Sequence, residues 1–171
     1  EGGMVLLPEV LERALAAIRE SSGTKGYVAY PSPQGDLFSQ EIVETLAAQE
    51  HIILFCGHYE GLDERFVSRC VDREVSMGDF VLTGGEIPAM AIIDAMARLV
   101  PGVVGKETAV VEDSFFRGML DHPHCTRPAE WNGECVPEEL LSGDAAAIEN
   151  WRRNAAVERT LARRPDLISR A

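Results

Sequence analysis

Ile52-Ile53-Leu54-Phe55-Cys56-Gly57-His58-Tyr59-Glu60-Gly61 is a continuous apolar run that breaks into a glycine-punctuated turn. Two more glycine-bearing segments follow closely: Ser76-Met77-Gly78-Asp79-Phe80 and Val81-Leu82-Thr83-Gly84-Gly85-Glu86. An unbroken apolar run of this length is the pattern of a strand buried in a parallel sheet. Glycines at strand ends accept positive φ and let the main chain approach a ligand closely. Three such turns between residues 52 and 85 point to a pocket built largely from backbone. Each turn alone could equally be a simple tight turn, but the cluster favours a binding site.

Working outward, helical and extended patterns alternate. Pro8 to Glu20 predicts a helix, with proline in its first turn and Val10, Leu11, Leu15 and Ile18 at helical spacing. Tyr27-Val28-Ala29-Tyr30 predicts a short strand ended by Pro31-Ser32-Pro33-Gln34-Gly35. Ser39 can cap a helix through about Gln49, with Ile42, Val43 and Leu46 facing inward. Phe80 to Leu82 predicts another strand. Glu86 to Leu99 predicts an apolar helix stopped by Val100-Pro101-Gly102. The alternation implies an α/β layer with a mostly parallel sheet. Ligands bind such sheets at the carboxyl ends of strands, so the turns after Tyr30, Phe55 and Leu82 are expected to converge. From Gly105 to Gly118 the pattern weakens into a linker, and helices resume near Pro137–Leu141 and Asp144–Arg164.

The bulk numbers exclude several classes. No apolar run approaches the roughly 18–20 residues of a membrane-spanning helix, and the start lacks the basic and apolar regions of a signal peptide. The four cysteines, Cys56, Cys70, Cys125 and Cys135, form no CxxC pair, so reduced thiols and a cytoplasmic location are expected. A net charge of −12 in 171 residues argues against a general nucleic-acid coat protein. The basic residues are unevenly placed, however: residues 151–171 carry six arginines against Glu158 and Asp166. On charge alone a solvated arginine-rich helix is the simpler reading, and local contact with phosphates the alternative.

Standard cofactor fingerprints are absent. None of the turns is GxGxxG or GxxxxGK[ST], so a dinucleotide or nucleoside-triphosphate site has no support. No serine sits in GxSxG. His122, His124, Cys125 and Cys135 match no common metal spacing, and no metal ligand is assigned. Asp113, in the polar linker, is a candidate general base, against the plainer reading of a solvated carboxylate. Arg98 ends the apolar helix, where a cation also complements the helix dipole.

These segments resemble the bacterial tRNA (guanine-N1)-methyltransferase (TrmD) family. The resemblance rests on Cys56-Gly57-His58-Tyr59-Glu60-Gly61-Leu62-Asp63-Glu64-Arg65, on Ser76 through Met90, on Glu112-Asp113-Ser114-Phe115, and on Thr126-Arg127-Pro128, Val136-Pro137-Glu138 and Leu141-Ser142-Gly143. It runs over essentially the whole chain. The resemblance implies a SPOUT-type α/β fold with a mostly parallel sheet and a deep trefoil knot, plus a small helical C-terminal domain. Residues 1–104 would be the knotted S-adenosylmethionine-binding domain, 105–120 the linker, and 121–171 the tRNA-binding domain. The family also carries more residues before Gly3-Met4-Val5 and after Ala171, so a piece of a longer enzyme is expected.

By the same resemblance the enzyme is a homodimer with active sites at the interface. It transfers a methyl group from S-adenosylmethionine to N1 of guanosine 37 in tRNA, with Mg2+ in support and no membrane association. Pro33, Gly57, Tyr59, Glu60, Met77, Gly78, Asp79, Phe80, Val81, Leu82, Gly84, Gly85 and Pro88 match the cofactor-binding positions. Asp113 matches the general base and Arg98 the arginine that supports it. Guanine N1 carries a proton at neutral pH, so a base is needed, and a cation near the guanine oxygen would stabilise the developing charge. Two rivals remain: a SPOUT methyltransferase acting on another RNA base, and a module that binds S-adenosylmethionine without turnover.

Overall fold

Pro8 at the first position and apolar residues at helical spacing produce α1 (Pro8–Ser22), which buries Leu11 and Leu15. Gly23, in the left-handed region at φ 69°, ends the helix by donating its N–H to the Arg19 carbonyl at 3.0 Å. The computed structural model describes residues 4–105 and 112–168. It divides into two units, Glu1–Gly105 and Lys106–Ala171.

In the first unit, β1 (Tyr27–Leu37) lies between β2 (Ile52–Leu54) and β3 (Arg73–Ser76) in a sheet ordered β2-β1-β3. Both pairings are parallel: Tyr27 faces Ile52, and Ala29 faces both Leu54 and Arg73. The first unit is thus the mixed α/β structure with a parallel sheet that the alternation implied.

Two strand expectations are corrected. The first strand does not stop at Pro31. Its register shifts between Pro31 and Asp36, both of which sit opposite Val75, so residues 32–35 bulge out before Leu37 rejoins Ser76. A bulge is where a strand tolerates prolines, which cannot donate to the ladder. Gly35 is required there because a Cβ would lie 2.4 Å from the backbone C of Glu74 and N of Val75.

The other correction concerns Phe80–Leu82, which is not a strand. Gly78, at φ 135°, turns the chain off the end of β3, and Phe80, Val81 and Leu82 remain exposed, Val81 by 82%. The third strand is instead β3, where Val75 is the one strongly apolar residue and is completely buried. One apolar position among Arg73, Glu74 and Ser76 is too weak a pattern to announce a strand.

Two apolar clusters cover the two faces of the sheet. One joins Leu11 and Leu15 of α1 to Val28, Tyr30 and Ile53 of the sheet and to Phe66 and Val67. The last two belong to α3 (Glu64–Cys70), an unanticipated helix capped by Asp63, whose carboxylate accepts the Arg65 N–H at 2.9 Å. The Arg65 guanidinium also hydrogen-bonds that carboxyl and is the main reason it sits at about 2, with the Arg65 backbone N–H adding to the effect.

The second cluster joins Ala29 and Val75 to Ile42 and Leu46 of α2 (Gln40–Ala47) and Ile92 of α4 (Glu86–Ala97). Alternate residues of β1 thus feed opposite layers, as the two-residue period of a strand requires. Ile92 is fully buried. Ile92→Ala is expected to destabilise the first unit by about 2–5 kcal/mol, read as a lower urea midpoint at unchanged m-value.

The second unit is built from a hairpin and helices. The hairpin β4 (Glu130–Trp131) and β5 (Glu134–Cys135) turns through Asn132 and Gly133, at φ 53° and 85°. Asn-Gly is the pair that such a turn favours. The helices expected here form as α5 (Glu138–Leu141) and α6 (Ala145–Arg163), followed by α7 (Pro165–Ile168). Asp144 caps α6 by accepting the N–H groups of Ala146 at 2.9 Å and Ala147 at 3.3 Å. Thr160, fully buried, ties α6 to the preceding loop: its hydroxyl accepts the Leu120 N–H at 3.0 Å and donates to the Ala156 carbonyl at 2.7 Å. Linker residues 106–111 lie outside the described residues. Among the described residues no helix is long and apolar enough to cross a membrane.

Candidate functional site

Because β1, β2 and β3 run parallel, their carboxyl ends share one edge of the sheet, and a cleft opens there. Its walls come from the start of the β1 bulge, Pro31 to Pro33, and from the loops after β2 and β3, Gly57 to Gly61 and Met77 with Phe80 to Gly85. Pro88 of α4 completes it. Eleven of the thirteen expected cofactor residues line this cleft. Gly78 and Asp79 stand outside the lining, in a turn closed by Ser76, whose hydroxyl accepts the Gly78 N–H at 3.2 Å. Tyr30, Ser32, His58 and Thr83 also line the cleft and were not among the expected residues. His58 was legible in principle, since it sits between Gly57 and Tyr59.

The loop after β2 is moulded on Tyr30. A Cβ on Gly57 would approach the Tyr30 ring and hydroxyl at 3.0 Å, and one on Gly61, at φ 95°, would come within 2.8 Å of that hydroxyl. Burial pushes the Tyr30 phenol above its ordinary pKa, partly offset by a hydrogen bond from the Leu62 backbone. The loop is pinned by the Leu6 N–H donating to the Gly61 carbonyl (2.9 Å) and the Glu60 N–H to the Met4 carbonyl (3.1 Å). Tyr59 is held at φ 58° with its side chain exposed. A non-glycine residue in that region is strained, and such strain concentrates at functional sites.

The two glycine loops meet directly. The Gly85 N–H donates to the Gly57 carbonyl at 2.9 Å, and His58 pairs with Gly84 in an antiparallel bridge. A Cβ on Gly85 would lie 2.8 Å from the Cys56 Cα and 2.9 Å from the Gly57 N, so only glycine permits this approach. His58 Nε2 contacts Glu86 Oε1 at 2.5 Å beside the bridge. Among the described residues no lysine or arginine lines the cleft, and Glu60 contributes a carboxylate. The lining therefore suits a cationic or neutral ligand better than a phosphate, in keeping with the missing phosphate fingerprints.

Neither expected catalytic residue is among those that line the cleft. Arg98 caps the end of α4 in the first unit, its N–H donating to the Asp94 carbonyl at 3.2 Å, and is not among the cleft residues. Asp113 is exposed in the second unit. It precedes a turn in which the Phe115 N–H donates to the Met119 carbonyl at 2.7 Å and the Ser114 hydroxyl accepts the Asp121 N–H at 2.9 Å. The guanidinium of Arg164 stacks on Phe115 at 5.7 Å.

In the same unit, Asp121, His122 and His124 place one ligand atom each within 4.8 Å of one another, without the cysteines. Asp121 already accepts from His124 at 2.7 Å and from the His122 backbone N–H at 2.6 Å. Burial pushes its carboxyl upward, but those bonds outweigh it and hold the group below the usual range.

A family profile described as tRNA (Guanine-1)-methyltransferase TrmD matches residues 1–170. Curated relatives named tRNA (guanine-N(1)-)-methyltransferase align along nearly the whole chain. The protein of Magnetococcus marinus is 53% identical over 173 residues, covering 99% of this chain and 68% of its own length. That of Ruminiclostridium cellulolyticum is 49% identical over 168 residues, covering 98% and 72%. That of Bacillus subtilis is 50% identical over 166 residues, covering 97% and 68%.

Proposed function

This chain belongs to the TrmD family of tRNA (guanine-1)-methyltransferases, and from that premise we propose that it transfers a methyl group from S-adenosylmethionine to N1 of guanosine 37 of tRNA. The observation that carries the reading is the cleft at the carboxyl edge of the sheet, with its glycine-defined walls and, among the described residues, no lysine or arginine. S-adenosylmethionine supplies an electrophilic methyl group on a sulfonium, and a lining with Glu60 and free of lysine and arginine accommodates that positive charge. Main-chain groups of the Gly57–Gly61 and Met77–Leu82 loops would hold the adenine and methionine parts. Gly85, whose backbone lies against Cys56 and Gly57, fits a crossing of two chain segments, and we infer a trefoil knot there.

Asp113 is proposed to take the proton from guanine N1 as the bond to the methyl group forms. Arg98 would stabilise the negative charge that develops on the guanine oxygen. In the proposed homodimer, Asp113 of one subunit serves cofactor held by the other. Residues 121–171 form the proposed tRNA-binding domain, where Arg152, Arg153 and Arg163 of α6 are suited to phosphate contacts. Magnesium would bind through carboxylates and water, and we assign it no ligands. The proposed setting is the cytoplasm.

Labelled S-adenosylmethionine offered with two tRNA transcripts tests the reading. Methyl transfer is expected to the transcript carrying guanosine 37 and not to one carrying another base there. Transfer to both would refute the site assignment. Binding of S-adenosylmethionine without transfer to either would favour a non-catalytic cofactor module.

A further inference from the structure

We propose that His58 and Glu86 act together as a positioning clamp that fixes the two glycine loops of the cleft against each other. The inference rests on reading the cleft as the S-adenosylmethionine site. His58 follows β2, and Glu86 is the first residue of α4, 28 positions later. Their side chains meet at 2.5 Å directly over the His58–Gly84 bridge.

The two consecutive glycines face different neighbours. Gly85 must lack a side chain because the Cys56 and Gly57 backbone lies against it. Gly84 has a different reason. A Cβ there would fall 2.5 Å from Glu86 Oε2 and 2.7 Å from His58 Cε1, so the clamp itself occupies that space. The Glu86 carboxyl is poised as the acceptor: its own backbone N–H, then the His58 hydrogen bond, hold it below the usual carboxylate range. As the first residue of α4, it also faces the positive end of the helix dipole.

Both side chains are about half exposed, so the pair adds little to global stability. Its leverage is local, on the spacing between Gly57 and Gly85. Beside it stand Tyr59, whose ring centre lies 6.0 Å from that of His58, and Cys56, whose thiol pKa is raised by burial and by the Glu86 charge.

The test is a double-mutant cycle read by calorimetric titration with S-adenosylhomocysteine and by hydrogen exchange of the Gly85 amide in ligand-free protein. His58→Ala and Glu86→Ala are each expected to weaken binding by about three- to five-fold, the upper end for an exposed pair. The double variant should bind no worse than the weaker single variant. His58→Gln, which keeps a donor, should recover most of the loss, with thermal midpoints unchanged throughout. Exchange at Gly85 should quicken in both alanine variants. Additive losses, no rescue by glutamine, or unchanged Gly85 exchange would each overturn the clamp. Failure of the wild-type chain to bind S-adenosylhomocysteine would instead sink the cofactor reading, while Gly85 exchange would still decide whether the clamp couples the loops.

Discussion

Gly35→Ala is expected to unfold the first unit at denaturant concentrations where the wild-type protein is native. A Cβ at this position would stand 2.4 Å from the backbone of Glu74 and Val75, and neither atom can rotate away as a side-chain tip could. The central strand would have to separate from β3 just where Pro31 and Asp36 both face Val75. Overpacking a close contact costs typically 1–3 kcal/mol, and a backbone collision belongs at or above the upper end. We therefore expect a loss of about 3 kcal/mol or more, against a marginal total stability. Equilibrium urea unfolding measures it, with Gly105→Ala as the control, since nothing lies within 4 Å of a Cβ there. A midpoint within error of the control would mean that residues 32–35 can slide without disturbing the β1–β3 ladder.

Asp113→Ala is expected to lower methyl transfer by about 10²–10⁴-fold, the range for loss of a general base. Affinity for S-adenosylhomocysteine should stay within about two-fold of wild type, because the cleft is made by loops of the first unit. Asp113→Asn should behave the same way, since an amide cannot take the guanine proton. Single-turnover assays with the guanosine-37 transcript, paired with titrations, separate the outcomes. Retained transfer would remove Asp113 from the chemistry. Loss of cofactor binding would make it a structural residue instead.

Much of the first unit was legible because its signals are local. Pro8 and the spacing of Leu11, Leu15 and Ile18 announced α1, and Ile42, Val43 and Leu46 announced α2. The apolar run at Ile52 announced β2, and the Gly84-Gly85 pair before an apolar stretch announced the start of α4. The pocket was legible for the same reason: a glycine at a strand end is a local mark of a close approach. Phe80–Leu82 misled because apolar residues at a binding edge look like buried ones. The β3 strand was missed because a single buried Val75 carries it, and α3 because its signal was confined to the Asp63 cap and two apolar residues.

From the sequence alone came an α/β chain with a parallel sheet, a backbone-built cleft, the absence of a phosphate-binding fingerprint and the family resemblance. Helical spacing, strand runs and glycine breaks are written within a few residues of where they act. Only the tertiary structure decided that β1 lies between β2 and β3, that residues 32–35 bulge at a doubly used Val75, and that no described lysine or arginine lines the cleft. It alone joined His58 to Glu86 and gave Gly84 and Gly85 separate reasons. Each of these depends on which distant segments pair, and pairing is set by how the layers pack over the sheet rather than by any window of neighbouring residues.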